Sequence, residues 1–292
     1  MKIGITGISA FVGYHLAKEL VKKGEEVIGF SRSKGEIEKE LNSSRFQFVS
    51  GDITDFHCLE DALKDTSLIY HLSAVSSERL CKGDVRRSFK VNVEGTINVL
   101  ELARRNRIKV IYASSGAVYP PSSKAHCEEE AGFCGGFYAI SKLTAEKYCE
   151  LYHRNFDTPF VILRFSRIYG QGMKRNPIYD LFKAIKEKEE VKFYESLDSC
   201  YDFIYVKDVV KALLLAQGRD WENQIVNISS GKGILLKELV QEVEQIIGER
   251  LSVRVLEHKK STDVLDNRKA ESLGWRPEYS LKEGLKEMIG KQ

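Results

Sequence analysis

Ile3-Gly4-Ile5-Thr6-Gly7-Ile8-Ser9-Ala10-Phe11-Val12-Gly13 is the stretch on which the fold turns. An apolar run ends at Gly7, and a helical pattern begins at Val12 and continues through Leu16, Leu20 and Val21. Glycines at a strand end and a helix start allow a tight turn and bring backbone N–H groups close to an anion such as a pyrophosphate, with the helix dipole adding attraction. The Gly-x-x-x-x-x-Gly spacing, with Ala10 in its middle, reads as a dinucleotide-binding loop, and a plain strand-to-helix turn is the alternative.

Further along, short apolar runs at 2–6, 26–30, 46–49, 68–72, 110–114 and 160–164 predict strands buried on both faces. Apolar residues at helical period over 12–23 and 91–105 predict helices between them. Strand and helix in alternation imply right-handed crossovers and an α/β, Rossmann-type doubly wound parallel sheet. Residues 1–165 are assigned to this domain. After that the alternation loosens, with loops at Gly170-Gln171-Gly172 and Asn176-Pro177. Candidate strands at 203–206 and 225–228 and a helix at 237–247 leave 166–292 as mainly a small substrate-binding lobe, with late returns to the sheet near 203–228. No internal repeat or linker is visible.

At 292 residues, 42% hydrophobic and 30% charged, the chain has the composition of a globular protein and not of a disordered one. A net charge of +3 argues against a basic nucleic-acid-binding face. The six cysteines (58, 81, 127, 134, 149 and 200) form no Cys-x-x-Cys pair, and His126-Cys127 with Cys134 lacks metal-ligand spacing, so no metal is expected. A reducing, cytoplasmic setting fits them. No apolar stretch approaches the ~20 residues of a membrane span, and Met1-Lys2 reads as the opening of a strand, not as a targeting segment.

Three local features carry chemistry. Where the second strand ends, an acidic residue would bind the ribose 2′-hydroxyl of NAD, but the chain has Ser31-Arg32-Ser33. An arginine there pairs with a 2′-phosphate, which favours NADP over NAD; a solvated loop arginine is the bland alternative. Tyr138 and Lys142 stand one helical turn apart, and an ammonium beside a phenol lowers its pKa from ~10 towards one useful for acid/base work. Ser114-Ser115 ends a predicted parallel strand, the edge where open α/β sheets hold ligands. His71 and the basic Arg104-Arg105-Asn106-Arg107 helix end read as structural.

In order along the chain come Thr6-Gly7 to Gly13, Gly51-Asp52-Ile53-Thr54-Asp55, His71-Leu72-Ser73-Ala74, Asn92-Val93-Glu94-Gly95-Thr96, Ser114-Ser115-Gly116-Ala117-Val118-Tyr119, Tyr138-Ala139-Ile140-Ser141-Lys142, Leu163-Arg164-Phe165, Tyr201-Asp202-Phe203-Ile204-Tyr205-Val206-Lys207-Asp208, Asn227-Ile228-Ser229-Ser230-Gly231 and Leu273-Gly274-Trp275-Arg276-Pro277. This series resembles the extended short-chain dehydrogenase/reductase family, the NAD(P)-dependent sugar-nucleotide epimerases, dehydratases and reductases. The resemblance implies that Gly7, Phe11, Val12 and Gly13 lie along the cofactor pyrophosphate, with Ala10 in place of the usual middle glycine of that cofactor-binding loop, and Asp52 and Ile53 at the adenine; Ser31 and Arg32 are placed at the adenosine ribose by the local charge argument above. Leu72, Ser73, Ala74 and Phe165 would line the rest of the cofactor path, and Asn92 would support the active site. Ser115 would bond the reacting sugar oxygen, Tyr138 would be the acid/base, and Lys142 would hold the nicotinamide ribose and depress the Tyr138 pKa. A homodimer built on a helix bundle is common in the family.

The departures bear on the substrate. Nucleotide-binding members commonly have Arg where this chain has Tyr201, and Asn where it has Arg167. Arg167 either supplies the diphosphate charge or serves as a structural ion-pair partner; Asn176 is either a substrate contact or a helix cap. Gly116-Ala117 replaces the Asp-Glu pair that dehydratases use to eliminate water. The remaining reactions on a nucleotide sugar are 4-epimerisation and 4-keto reduction, with hydride and proton moving together. A non-catalytic NAD(P) sensor and a reductase of a non-nucleotide carbonyl are the alternatives.

Overall fold

Strand β1 (Lys2–Thr6) is buried on both faces beyond its first residue and lies inside the sheet. It pairs in parallel with β2 (Glu26–Ser31) on one side and β4 (Leu68–His71) on the other, with Ile3 opposite both Val27 and Leu68. Beyond these stand β3 (Phe46–Ser50), parallel to β2, and β5 (Lys109–Ser115), parallel to β4. With β6 (Phe160–Phe165) and a late strand, Gln224–Ile228, the seven-stranded order is Gln224–Ile228, β6, β5, β4, β1, β2, β3. The chain order reverses between β1 and β4. Parallel strands place their carboxyl ends on one edge, and the crevice at such a reversal is where open α/β sheets bind ligands. This computed structural model describes residues 1–35, 41, 43–132 and 135–290, so Cys134 lies outside the described residues.

Helix α1 (Phe11–Lys22) buries Gly13, Leu16, Ala17 and Leu20, the face its helical period marks out. Helix α2 (Phe56–Leu63) starts at Asp55, whose carboxylate accepts the Cys58 N–H. The segment expected as one helix over 91–105 is composite. After α3 (Glu78–Gly83) come α4 (Val85–Phe89), a π-turn at Lys90–Glu94, and α5 (Gly95–Asn106). The wider π-turn includes Asn92, whose side chain is tied to the backbone of Val75. Helix α6 (Phe137–Phe156) then packs against β5.

Contacts divide the chain into two compact units: residues 1–120, 130–164 and 210–226, and residues 121–129, 165–209 and 227–292. The excursion 121–129 groups with the later residues because it bonds there: Asn227 Nδ2 donates to the His126 carbonyl, and the Glu128 carboxylate accepts the Asn227 N–H. In the second unit, β7 (Arg167–Tyr169), β11 (Gly233–Leu235) and β13 (Thr262–Asp263) all pair with β9 (Cys200–Tyr205). β8 (Val191–Phe193) pairs with β12 (Val253–Val255), and the late sheet strand Gln224–Ile228 is β10. Helices α7 (Pro177–Glu187), α8 (Val206–Leu215), α9 (Leu236–Ile247), α10 (Arg268–Ser272) and α11 (Leu281–Ile289) complete the chain. Trp275, fully buried, donates its indole N–H to the Asp208 carbonyl. No helix among the described residues is long and apolar enough to cross a membrane.

Two buried polar clusters join the layers of the first unit. Glu146 of α6 is 0% exposed; its carboxylate receives the Ser114 hydroxyl and, at 3.0 and 2.6 Å, Nε and Nη2 of Arg164, itself 1% exposed. This ties α6 to β5 and β6. His71, at the end of β4, is the other cluster. Thr96 donates its hydroxyl to the Asn92 carbonyl, so it accepts from His71 Nε2 at 2.9 Å; Nδ1 then accepts from Thr6 Oγ1 at 2.7 Å. Both ring nitrogens are used by the neutral form, and burial pushes the imidazole pKa down to about 3.

Both clusters make predictions for stability. Glu146→Ala leaves the Arg164 guanidinium buried and uncompensated, and urea denaturation should show a loss of about 3–5 kcal/mol. As pH falls below ~6.5, the unfolded chain protonates His71 while the folded chain does not. Stability should therefore drop between pH 6.5 and about 3, by up to ~1.4 kcal/mol per pH unit. His71→Asn should flatten that part of the pH profile; an unchanged slope would show that His71 does not set it.

Candidate active site

The carboxyl ends of β1, β2, β4 and β5 bring together most of the residues singled out in the first unit. Gly7 follows β1 with φ +72°, and a Cβ there would stand 2.8 Å from the Ser73 nitrogen and 2.9 Å from the Leu72 carbonyl carbon. Only glycine lets the two loops approach so closely. Ala10 occupies the N-cap of α1 and offers no side-chain acceptor, so the first N–H groups of the helix are left for a ligand; Phe11 and Val12 begin the helix and Gly13 is buried within it. These features, a glycine cradle and an uncapped helix start, fit a pyrophosphate.

Ser31 ends β2, and Arg32 after it is exposed. The Ser31 hydroxyl lies 3.1 Å from Ser9 Oγ and 2.8 Å from the Ser33 carbonyl. Asp52, past β3, accepts from the backbone and hydroxyl of Thr54, and Ile53 beside it is buried. Leu72, Ser73 and Ala74 follow β4 and are half-buried. Phe165 ends β6 and is buried in the second unit.

Ser115 is the last residue of β5, half-buried, and its Oγ accepts the Ala117 N–H at 3.2 Å. Lys142, 3% exposed, donates from Nζ to the Ala113 carbonyl of the same strand at 2.7 Å and lies 4.6 Å from the Tyr112 ring centroid. Burial pushes its pKa down to about 8, and Glu146 one turn on opposes that fall. Tyr138, half-buried, stands one turn before Lys142 on α6. Its carbonyl accepts the Ser141 hydroxyl at 2.7 Å, and Ser141 Oγ in turn accepts from Asn92 Nδ2 at 2.9 Å. The N–H groups of Phe137 and Tyr138 donate to the two carboxylate oxygens of Glu78, each at 2.9 Å.

Ser141 and Glu78 were not among the sequence candidates. Ser141 lies inside the Tyr138 to Lys142 motif, so its position was a usable signal. Glu78 left none, because a carboxylate that caps a helix 59 residues later has no local pattern.

In the second unit, Arg167 lays its guanidinium over Tyr201, with Cζ 3.8 Å from the ring centroid and Nε 3.7 Å from Asp263. Its Nε is buried without a hydrogen-bond partner among the described residues. Tyr201 is 1% exposed and donates its hydroxyl to Glu195, whose pKa is raised by burial. Asn176 is the N-cap of α7: Oδ1 accepts the Tyr179 N–H at 3.1 Å and Nδ2 donates to the Ile168 carbonyl at 3.0 Å. Its side chain is committed to the helix cap, the second of the two roles considered for it.

Comparison with known proteins accords with this arrangement. A putative UDP-glucose 4-epimerase of Methanocaldococcus jannaschii is 33% identical over 300 residues, covering 98% of this chain and 96% of that protein. A UDP-glucuronate 4-epimerase of Thermodesulfobacterium geofontis is 27% identical, covering 98% and 94%. The crystal structure of UDP-glucuronic acid 4-epimerase from Bacillus cereus, in complex with UDP-glucuronic acid and NAD, superposes with a TM-score of 0.93 at 27% identity, covering 99% of this chain and 98% of that one. The model of the NAD dependent epimerase/dehydratase family matches residues 3–229, and the chain belongs to that family.

Proposed function

We propose that this protein is an enzyme that inverts C4 of a UDP-sugar by removing and returning hydride, with Tyr138 as the acid/base. The observation that carries this reading is that Lys142 Nζ bonds the Ala113 carbonyl, two residues before Ser115 at the carboxyl end of β5, with Tyr138 one turn before Lys142 on α6. The relatives named as UDP-glucose and UDP-glucuronate 4-epimerases support the substrate class. A bound nicotinamide cofactor would supply the hydride acceptor. Ser115 orients the 4-hydroxyl; Tyr138 takes its proton as the C4 hydride leaves, and returns a proton to the oxygen when hydride comes back to the opposite face. The Lys142 ammonium stabilises the phenolate that accepts the proton. Gly116-Ala117 provides no carboxyl group for eliminating water, which separates this site from a dehydratase.

Gly7, Ala10, Phe11, Val12 and Gly13 would hold the pyrophosphate, and Ser31 and Arg32 the adenosine ribose. A second reading, reduction of a 4-keto sugar by NADPH, is favoured by one observation: β2 ends in Ser31-Arg32-Ser33 with no carboxylate to meet a ribose 2′-hydroxyl. On the substrate side, Arg167 stacked on Tyr201 carries the positive charge that Tyr201 lacks, and we assign it to a diphosphate. Exposed Val85 and Phe89 on α4 and Ile140 and Leu151 on α6 fit an interface with a second copy of the chain.

Incubation with UDP-glucose and UDP-glucuronate, read by NMR at C4, should reveal the epimeric sugars. Tyr138→Phe should lower kcat by about 10²- to 10⁴-fold while cofactor affinity changes little; unaltered turnover would sink the mechanism and leave cofactor sensing. For the cofactor, Arg32→Asp should shift the NADP-to-NAD affinity ratio about 10- to 100-fold towards NAD. No change in that ratio would show that Arg32 does not read a 2′-phosphate.

A further inference from the structure

Tyr138 is the second residue of α6, so its N–H is one of the groups a helix start leaves without an internal partner. The N-cap residue, Gly136, has no side chain to satisfy it. Glu78, the first residue of α3, fills the role from 60 residues away: Oε1 accepts the Phe137 N–H and Oε2 the Tyr138 N–H, each at 2.9 Å. Glu78 is held at this place by its own helix start, where Ser77 Oγ accepts the Leu80 N–H.

The position of the carboxylate depends on Gly136. A Cβ there would lie 2.6 Å from Glu78 Oε2 and 3.0 Å from its Cδ, so any other residue at 136 displaces the carboxylate or the helix start. On the far side of the same residue, the Tyr138 carbonyl is taken by Ser141, which is held by Asn92. The backbone of Tyr138 is therefore gripped at both its N–H and its C=O, and the grip on the N–H comes from a different helix.

We infer that Glu78, admitted by Gly136, is a positioning residue for the Tyr138 reaction, clamping the first turn of α6 so that the phenol is presented in one place. This rests on the assignment of Tyr138 as the acid/base. Charge-assisted bonds are shorter and stronger than neutral ones, and a two-oxygen clamp fixes direction as well as distance. Misplacement of a reacting group by about 1 Å is enough to cost ~10²-fold in rate. An ordinary cap would affect folding stability alone.

The experiment compares Glu78→Ala, Glu78→Gln and Gly136→Ala with the unmodified protein, following amide hydrogen exchange at Tyr138 together with kcat and KM for UDP-sugar epimerisation. The clamp predicts faster exchange at the Tyr138 amide in Glu78→Ala and Gly136→Ala. It also predicts a fall in kcat of about 10- to 100-fold with KM changed less than about twofold. Glu78→Gln keeps one acceptor oxygen and should recover part of the rate. Unchanged exchange at Tyr138 overturns the clamp whatever the substrate is, and loss of melting temperature with kcat intact overturns its part in the reaction. If the unmodified protein does not turn over UDP-sugars, the functional reading fails, while the exchange result still decides the clamp.

Discussion

A carboxylate with no access to water must find all its stabilisation in protein groups, and Glu146 is such a carboxylate. Two nitrogens of Arg164 and the Ser114 hydroxyl surround it, so one side chain fastens α6 to two adjacent strands. An ion pair so deeply buried brings little net stability over an apolar packing, because desolvation costs nearly as much as the pairing returns. What it adds is a single allowed register for α6. Lys142 stands one turn before Glu146 and Tyr138 one turn earlier still, so that register sets where the phenol and the ammonium lie relative to the end of β5.

The same helix turn is also held by side-chain hydrogen bonds of unrelated origin. His71 bridges Thr6 and Thr96, Thr96 bonds the Asn92 carbonyl, and Asn92 bonds Ser141, which bonds the Tyr138 carbonyl. Thr6 also accepts the Ser73 N–H, beside the close approach at Gly7. A continuous line of hydrogen bonds thus joins the turn after β1 to the residue assigned to proton transfer. It passes through the π-turn at Lys90–Glu94, in which the Asn92 amide bonds Val75 and Ser141. His71, read from sequence as structural, is one link of that line.

Much of the first unit was legible because its information is local. Continuous apolar runs marked the strands, and the observed β1, β2, β3, β4, β5 and β6 fall within a residue or so of the expected ranges. The interrupted helix before Gly95 was not legible, since a π-turn of five residues is too short for its different period to show. In the second unit, the short strands β7, β8, β11, β12 and β13 carry two or three residues each, too few for any period to show. The return of 121–129 to that unit rests on hydrogen bonds of His126 and Glu128 to Asn227, which no nearby sequence pattern announces.

By itself the sequence determined the parallel α/β sheet, the glycine turn after β1, and the one-turn spacing of Tyr138 and Lys142, because each depends on residues within a few turns of one another. Tertiary structure alone decided which polar side chains were already spoken for. Asn176 caps its own helix, Arg167 lies over the Tyr201 ring, and Glu78 holds the backbone of Tyr138. The spacing of residues along a strand or helix follows from bond geometry, whereas the partner of a carboxylate or a guanidinium depends on where distant parts of the chain return.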